Sequence, residues 1–213
     1  MTGQSWRLPA DPPGRPLEYW LSPDLARPVP PELPSRLREL ADTQGTLTAA
    51  WGAGIGAGAV FVLAGIFVAA LGGGLAPLVV LGVLGATLVV LGVLGCRRVG
   101  SRLPDTTRTL IARGPGSARG GLSMLAFFGV ALGAGVASVA PGQGKSMLTA
   151  LIGTYVLIML FLTACIVVPA TIMGRSRETF RRKATNDTGF RALLEQDLVT
   201  WRPPVGNASY GPL

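Results

Sequence analysis

Charged and apolar residues are sharply segregated along this chain. Between Thr43 and Cys96 there are 54 residues without an Asp, Glu, Lys, Arg or His. Residues 120–144 and 146–174 form two further uncharged blocks. A helix rising ~1.5 Å per residue needs about 20 apolar residues to cross a ~30 Å hydrocarbon core. The first block is therefore long enough for two crossings and each of the others for one. The triplet Gly72-Gly73-Gly74, followed by Pro77, is where the first block would turn back. The expected fold is an all-α integral membrane protein with four transmembrane helices arranged as two antiparallel hairpins. A Pro-rich N-terminal arm precedes them and an amphipathic C-terminal helix follows.

On this reading residues 1–46 form an N-terminal arm with a short helix near 34–43. Residues 47–95 are the first hairpin (spans about 50–71 and 77–95), and 96–120 a basic loop. Residues 121–172 are the second hairpin (spans about 121–140 and 147–172), and 173–213 a basic, then amphipathic, tail.

The spans carry small residues in register. At ~100° per residue, Gly54, Gly58, Gly65 and Ala69 fall within about 60° of arc. In lipid no hydrophobic force draws helices together, so close backbone approach at small residues is what joins them. The second span holds an internal repeat, Leu78–Gly85 recurring as Leu88–Gly95, which puts Gly82, Gly85, Gly92 and Gly95 on one broad side. Ala126, Gly129, Gly133 and Ala137 line the third span in the same way, so the first and third spans are expected at the packed centre. The fourth, bulkier in Leu, Ile, Val and Met with Thr149, Gly153 and Ala164 as its one clear small stripe, is expected outside, facing lipid, with Pro169 near its cytoplasmic end where a kink costs little.

The tails read differently. Nine of the 17 prolines lie in residues 1–34, which predicts an extended or disordered arm. Its apolar part, Leu17-Glu18-Tyr19-Trp20-Leu21, suits either partner docking or the membrane interface. Leu33, Leu37 and Leu40 make a narrow stripe that would lie on the membrane surface or on the other tail. Phe190, Leu193, Leu194, Leu198 and Trp201 share a helical face opposite Arg191, Glu195 and Gln196, as in a helix that lies on a bilayer or docks a partner.

Charge then sets orientation. Residues 97–120 hold Arg97, Arg98, Arg102, Arg108, Arg113 and Arg119 against one acid, Asp105. The positive-inside rule puts this loop in the cytoplasm, and an even number of spans brings both termini there too. The second basic cluster is Arg175, Arg177, Arg181, Arg182 and Lys183. With Arg97, Arg98 and Arg102 it would meet anionic lipid head groups or a partner, which accounts for the net charge of +8 without nucleic acid. Asp105–Arg113 could add an interfacial helical turn. No leader is expected, because apolar sequence begins only near position 47. Arg outnumbers Lys 17 to 2 among abundant Ala, Gly and Pro, as in GC-rich bacterial genomes, so a bacterial cell membrane is the expected location.

Candidate chemistry is sparse. Pro141-Gly142-Gln143-Gly144-Lys145-Ser146 has the residues that end a phosphate-binding loop. The first required Gly is however Val139, and the segment joins two apolar spans where such a loop joins strand to helix. A turn explains it. With no His and only two cysteines, Cys96 and Cys165, neither a metal centre nor a disulfide framework is expected. Cys96 abuts Arg97 and Arg98, which would favour a reactive or acylated thiol. Asn207-Ala208-Ser209 fits the glycosylation pattern but lies on the cytoplasmic side of this topology. Hydroxyls such as Thr87, Ser123, Ser138, Thr149, Tyr155 and Thr163 are expected to bond their own helix backbones and not to line a pore. The sequence thus predicts no enzyme and no cofactor. It predicts an assembly or accessory protein whose partners are the lipid bilayer and other membrane subunits or copies of itself. A pore-former of the holin type, a transfer conduit or a small transporter subunit is the competing expectation.

Overall fold

The computed structural model describes residues 15–26, 35–104, 117–202 and 209–213. Among these, the regular elements are helical: α1 Leu17–Leu21, α2 Pro23–Ala26, α3 Arg36–Ala70, α4 Leu75–Gly100, α5 Ala118–Val139, α6 Lys145–Leu162, α7 Val168–Gly174, α8 Ser176–Asn186 and α9 Thr188–Thr200. Four helical stretches are long and apolar enough to cross a membrane: α3, α4, α5, and α6 continued through α7. The chain divides into two compact units. One comprises the chain up to Gly45, a stretch from Ser101, and the chain from Arg175 onward; the other comprises Thr46–Gly100 and the stretch ending at Gly174.

Three expectations change. Within the Pro-rich arm, residues 15–26 form two short helices. Prolines permit this because of where they sit: Pro16 is the N-cap of α1 and Pro23 opens α2, positions at which a missing N–H costs nothing. The short helix near 34–43 and the first span are one unbroken helix, α3. Gly45 lies inside it and faces Ser176, so closely that any Cβ at 45 would overlap the Ser176 Cβ. The weak helix former is tolerated because its bareness lets α8 approach.

The fourth span is the third change. Its helix widens to an i→i−5 turn over Thr163–Val167, where the Val168 N–H donates to the Thr163 carbonyl, before α7 resumes. Pro169 is the cause: it has no N–H to give the Cys165 carbonyl and its ring would crowd that oxygen, and a wider turn relieves both. This span also meets the first span on one flank and the third on another. Gly56 abuts Ala164, Gly52 abuts Ile172 and Val168, and Phe61 and Phe161 rings lie 5.9 Å apart. From the other side Gly121 meets Ala170 and Val167, and Gly129 meets Met159. The small residues Gly153, Ala164 and Ala170 admit both neighbours, while the bulky Leu148, Ile152, Val156 and Leu160 of the same span stay exposed.

The turns follow from glycine. Gly72 adopts φ +87° and Gly74 φ +77°. The Gly72 N–H donates to Ala69 and the Gly73 N–H to Val68, each at 3.0 Å, closing α3 with paired 5→2 and 6→1 bonds. Pro77 falls in the first turn of α4, where backbone N–H groups have no intrahelical acceptor. The Pro141–Ser146 segment is likewise a turn, with Gly142 at φ +87° and helices on both sides.

Candidate functional site

The first unit has a hydrophobic core assembled from segments far apart in sequence. Leu17 and Trp20 of α1, Leu37, Leu40 and Ala41 of α3, Phe180 and Ala184 of α8, Phe190 and Leu194 of α9, and Tyr210 and Leu213 are all buried in it. Leu37, Leu40 and Leu194 are fully shielded, each contributing about 1.5–3 kcal/mol relative to exposure. The Phe180 and Phe190 rings meet edge to face at 5.3 Å, and Trp201 meets Tyr210 at 5.8 Å. Leu103, at the start of the basic loop, packs on the same core.

Polar contacts explain why the pieces choose one another. The first N–H groups of α3 have no intrahelical acceptor, and the 209–213 segment supplies it. Arg36 N–H donates to the Ser209 carbonyl at 3.1 Å and Leu37 N–H to the Tyr210 carbonyl at 2.9 Å. The Ser35 hydroxyl accepts from Arg38 N–H and donates to the Pro212 carbonyl at 2.8 Å. Arg36 grips both oxygens of Asp197 at 3.3 and 3.0 Å, largely shielded from solvent, and the Tyr210 hydroxyl donates to the Leu194 carbonyl at 3.0 Å. Burial and the nearby Asp197 carboxylate push the Tyr210 phenol well above its ordinary pKa. Arg38 is also buried, at 4% exposed.

The residues singled out from sequence fall as follows. Of the amphipathic face, Phe190 and Leu194 are buried and Leu198 and Trp201 pack partly buried against the core, while Leu193 remains exposed. Of the basic flank, Arg177 binds both oxygens of Asp42 at 3.1 and 2.8 Å, and that hydrogen bond holds its guanidinium pKa above the ordinary value. Arg181 turns inward, donating to the Leu21 carbonyl at 2.9 Å and the Leu213 carbonyl at 3.2 Å. Arg182 pairs with Glu178, and Lys183 stacks over Phe190 at 4.1 Å, its ammonium pKa lowered by burial. Arg97, Arg98, Arg102 and Arg175 are exposed. Arg108 and Arg113, with the turn expected over 105–113, lie outside the described residues, as do Leu33, Asn207 and Ala208.

In the second unit the glycines divide into packed and open. A Cβ on Gly58 would lie 2.6 Å from the Gly85 carbonyl oxygen and 3.0 Å from Leu88, and one on Gly85 would overlap the Gly58 oxygen. Gly65 meets Leu78 and Leu81, Gly92 meets Ile55, and Gly95 lies against the Trp51 ring. Gly54 and Gly82 face nothing within 4 Å. Gly129 and Gly133 face Met159 and Tyr155 of α6, and Ala126 and Ala137 are exposed. The hydroxyls of Thr87, Ser123, Ser138, Thr149 and Thr163 bond their own helices at 2.7–3.0 Å. Tyr155 differs: its phenol cannot fold back, and it donates across to the Gly129 carbonyl at 3.1 Å.

Sequence reasoning marked Leu17–Leu21 as an apolar segment without identifying what it covers, and it missed Tyr210, Leu213 and the Arg36–Asp197 pair. Leu17 and Trp20 stand at i, i+3, a faint helical signal between prolines. The 209–213 segment has no periodicity that could reveal its target. No protein-family model, curated protein or solved structure matches this sequence.

Proposed function

We propose that this is a non-enzymatic multi-pass protein of a bacterial cytoplasmic membrane, acting as an assembly or accessory subunit. Its four spans form two antiparallel hairpins, and both termini lie in the cytoplasm. The observation that carries this reading is the folded unit built from both tails. A protein whose tails served only to fix orientation would not need an apolar core, an ordered aromatic segment and a shielded Arg36–Asp197 pair beyond the membrane. Such a unit offers a fixed surface to partners, with Leu193 and Val199 exposed on α9. The packing of Leu103 on that core supports a common side for the tails and the arginine-rich loop. The exposed Arg97, Arg98, Arg102 and Arg175 suit anionic head groups on that side.

Affinity capture of the full-length protein from native membranes in mild detergent tests this reading. The expected result is a discrete assembly, with itself or with named partners, that is lost when Trp20→Ala disrupts the tail core. A monomer whose behaviour is indifferent to the tails would refute it. Ion conduction or dye release by the reconstituted protein would replace it with the pore-forming alternative.

A further inference from the structure

Residues 209–213 sit in the tail unit as a bound peptide sits in a groove. Backbone bonds seat them: Arg36 N–H donates to the Ser209 carbonyl, Leu37 N–H to the Tyr210 carbonyl, and Leu213 N–H to the Trp20 carbonyl. Ser35 and Ser209 pair as an isolated parallel bridge. Side chains add selectivity. Tyr210 and Leu213 are buried, the Tyr210 hydroxyl donates to the Leu194 carbonyl, and a Cβ at Gly211 would come within 2.6 Å of the Trp20 ring. Main-chain bonds for affinity, with pockets for particular side chains, are how extended peptides are recognised.

The walls of this groove come from α1, α3, α8 and α9, with Arg181 of α8 donating to the Leu213 carbonyl. Connectivity ties the segment to them through six residues, 203–208, after Arg202. Every contact that seats it is therefore open to the same segment of another copy, the partner that always carries Ser-Tyr-Gly-Pro-Leu. Exchanging an identical element between protomers keeps the contacts and changes only the entropy of the tether. A short flexible tether supplies an effective concentration in the millimolar range. Copies packed side by side in one bilayer, all with the same orientation, meet at a comparable one. We infer that residues 209–213 of one copy dock in the groove of a second copy, making an exchanged dimer. This rests on the assembly reading and deepens it, naming a second copy of this chain as the partner and the groove as its site.

The test uses two full-length chains in which Cys96 and Cys165 are replaced by Ser. One, tagged, carries Ser209→Cys and the other Ser35→Cys, so neither forms a 35–209 disulfide within itself. Paired backbones run about 4.8 Å apart, inside the ~4.4–6.8 Å between Cα atoms that a disulfide spans. After co-reconstitution and mild oxidation with copper phenanthroline, a 35–209 crosslinked heterodimer is expected, its yield falling as the copies are diluted with lipid. A single chain carrying both cysteines should close on itself, which checks that the substitutions leave the bridge intact. Should it stay open, a second measurement decides. The chain lacking 209–213 should be cleaved within α8 and α9 by limited proteolysis. A synthetic peptide of residues 205–213 at about millimolar concentration should protect it, and a Tyr210→Ala peptide should not. Closure of the double-cysteine chain with no crosslink between copies overturns the inference, as does a shortened chain that the peptide fails to protect. Protection by the peptide without that crosslink would assign the groove to a foreign peptide and overturn the exchange. Co-capture of the two copies without the crosslink would also overturn it, while leaving the assembly reading standing.

Discussion

Gly82 and Gly85 stand one helical turn apart on the same helix and should respond oppositely to the same substitution. A methyl group added at Gly85 overlaps the Gly58 carbonyl oxygen and comes within 2.8 Å of Val62 Cγ2 and 3.0 Å of the Val62 backbone nitrogen. Two of those three atoms are backbone, so no rotamer change relieves the clash; α3 and α4 must separate. Overpacking of this kind costs about 1–3 kcal/mol. Against it, Ala is a better helix former than Gly by up to about 1 kcal/mol. Gly85→Ala is therefore expected to destabilise by about 0–2 kcal/mol. At Gly82 nothing lies within 4 Å, so Gly82→Ala keeps only the propensity gain. The difference between the two variants is the informative quantity. The propensity term cancels in it, and the packing term of about 1–3 kcal/mol remains. Equilibrium unfolding in mixed micelles, followed by helical circular dichroism, measures that difference. Equal midpoints for the two variants, or a lower one for Gly82→Ala, would refute this α3–α4 register.

Four further outcomes are expected. Trp20→Ala should cost about 3–5 kcal/mol of tail-unit stability and expose α8 and α9 to limited proteolysis, as should deletion of residues 209–213, which strips the acceptors from the start of α3. Asp197→Ala leaves Arg36 without its carboxylate in a shielded site and should cost about 1.5–3 kcal/mol by thermal unfolding; an unchanged midpoint would mean the pair is solvated. Tyr155→Phe removes an interhelical hydrogen bond and should lower the unfolding midpoint by the equivalent of about 0.6 kcal/mol, and no more than about 1.7. The folded-state pKa of Tyr210 is raised, so its contribution is fully present below the ordinary tyrosine value of about 10 and is lost as pH rises above it. Stability of the tail unit should accordingly fall in alkali above pH about 10, and Tyr210→Phe should flatten that slope.

The membrane-spanning helices were legible because their signal is one-dimensional. Uncharged runs of about 20 residues, the positive flanks and the glycine triplet at 72–74 sit in the order of the sequence, and bilayer thickness alone converts them into four spans. Glycine spacing narrowed the faces available for packing. It could not separate Gly85, against the Gly58 carbonyl, from Gly82, which faces open space, since both lie on one side of α4. Nor could composition reveal that the bulky fourth span is flanked by both the first and the third. Gly153, Ala164 and Ala170 decide that locally, against the average character of the helix.

The tails show the other limit. Sequence alone determined that Phe190, Leu194, Leu37 and Leu40 each needed an apolar cover, because their periodicity leaves one face of each helix dry. Only the tertiary structure decided that these residues cover one another, with Trp20 from a proline-flanked segment and Tyr210 from an aperiodic one completing the core. The reason is physical. Periodicity is a property of one helix and survives in sequence, whereas the choice between bilayer, partner and self depends on contacts across more than 150 residues. Shape, the hydrogen bonds from the first N–H groups of α3 to the Ser209 and Tyr210 carbonyls, and the Arg36–Asp197 pair fix those contacts together.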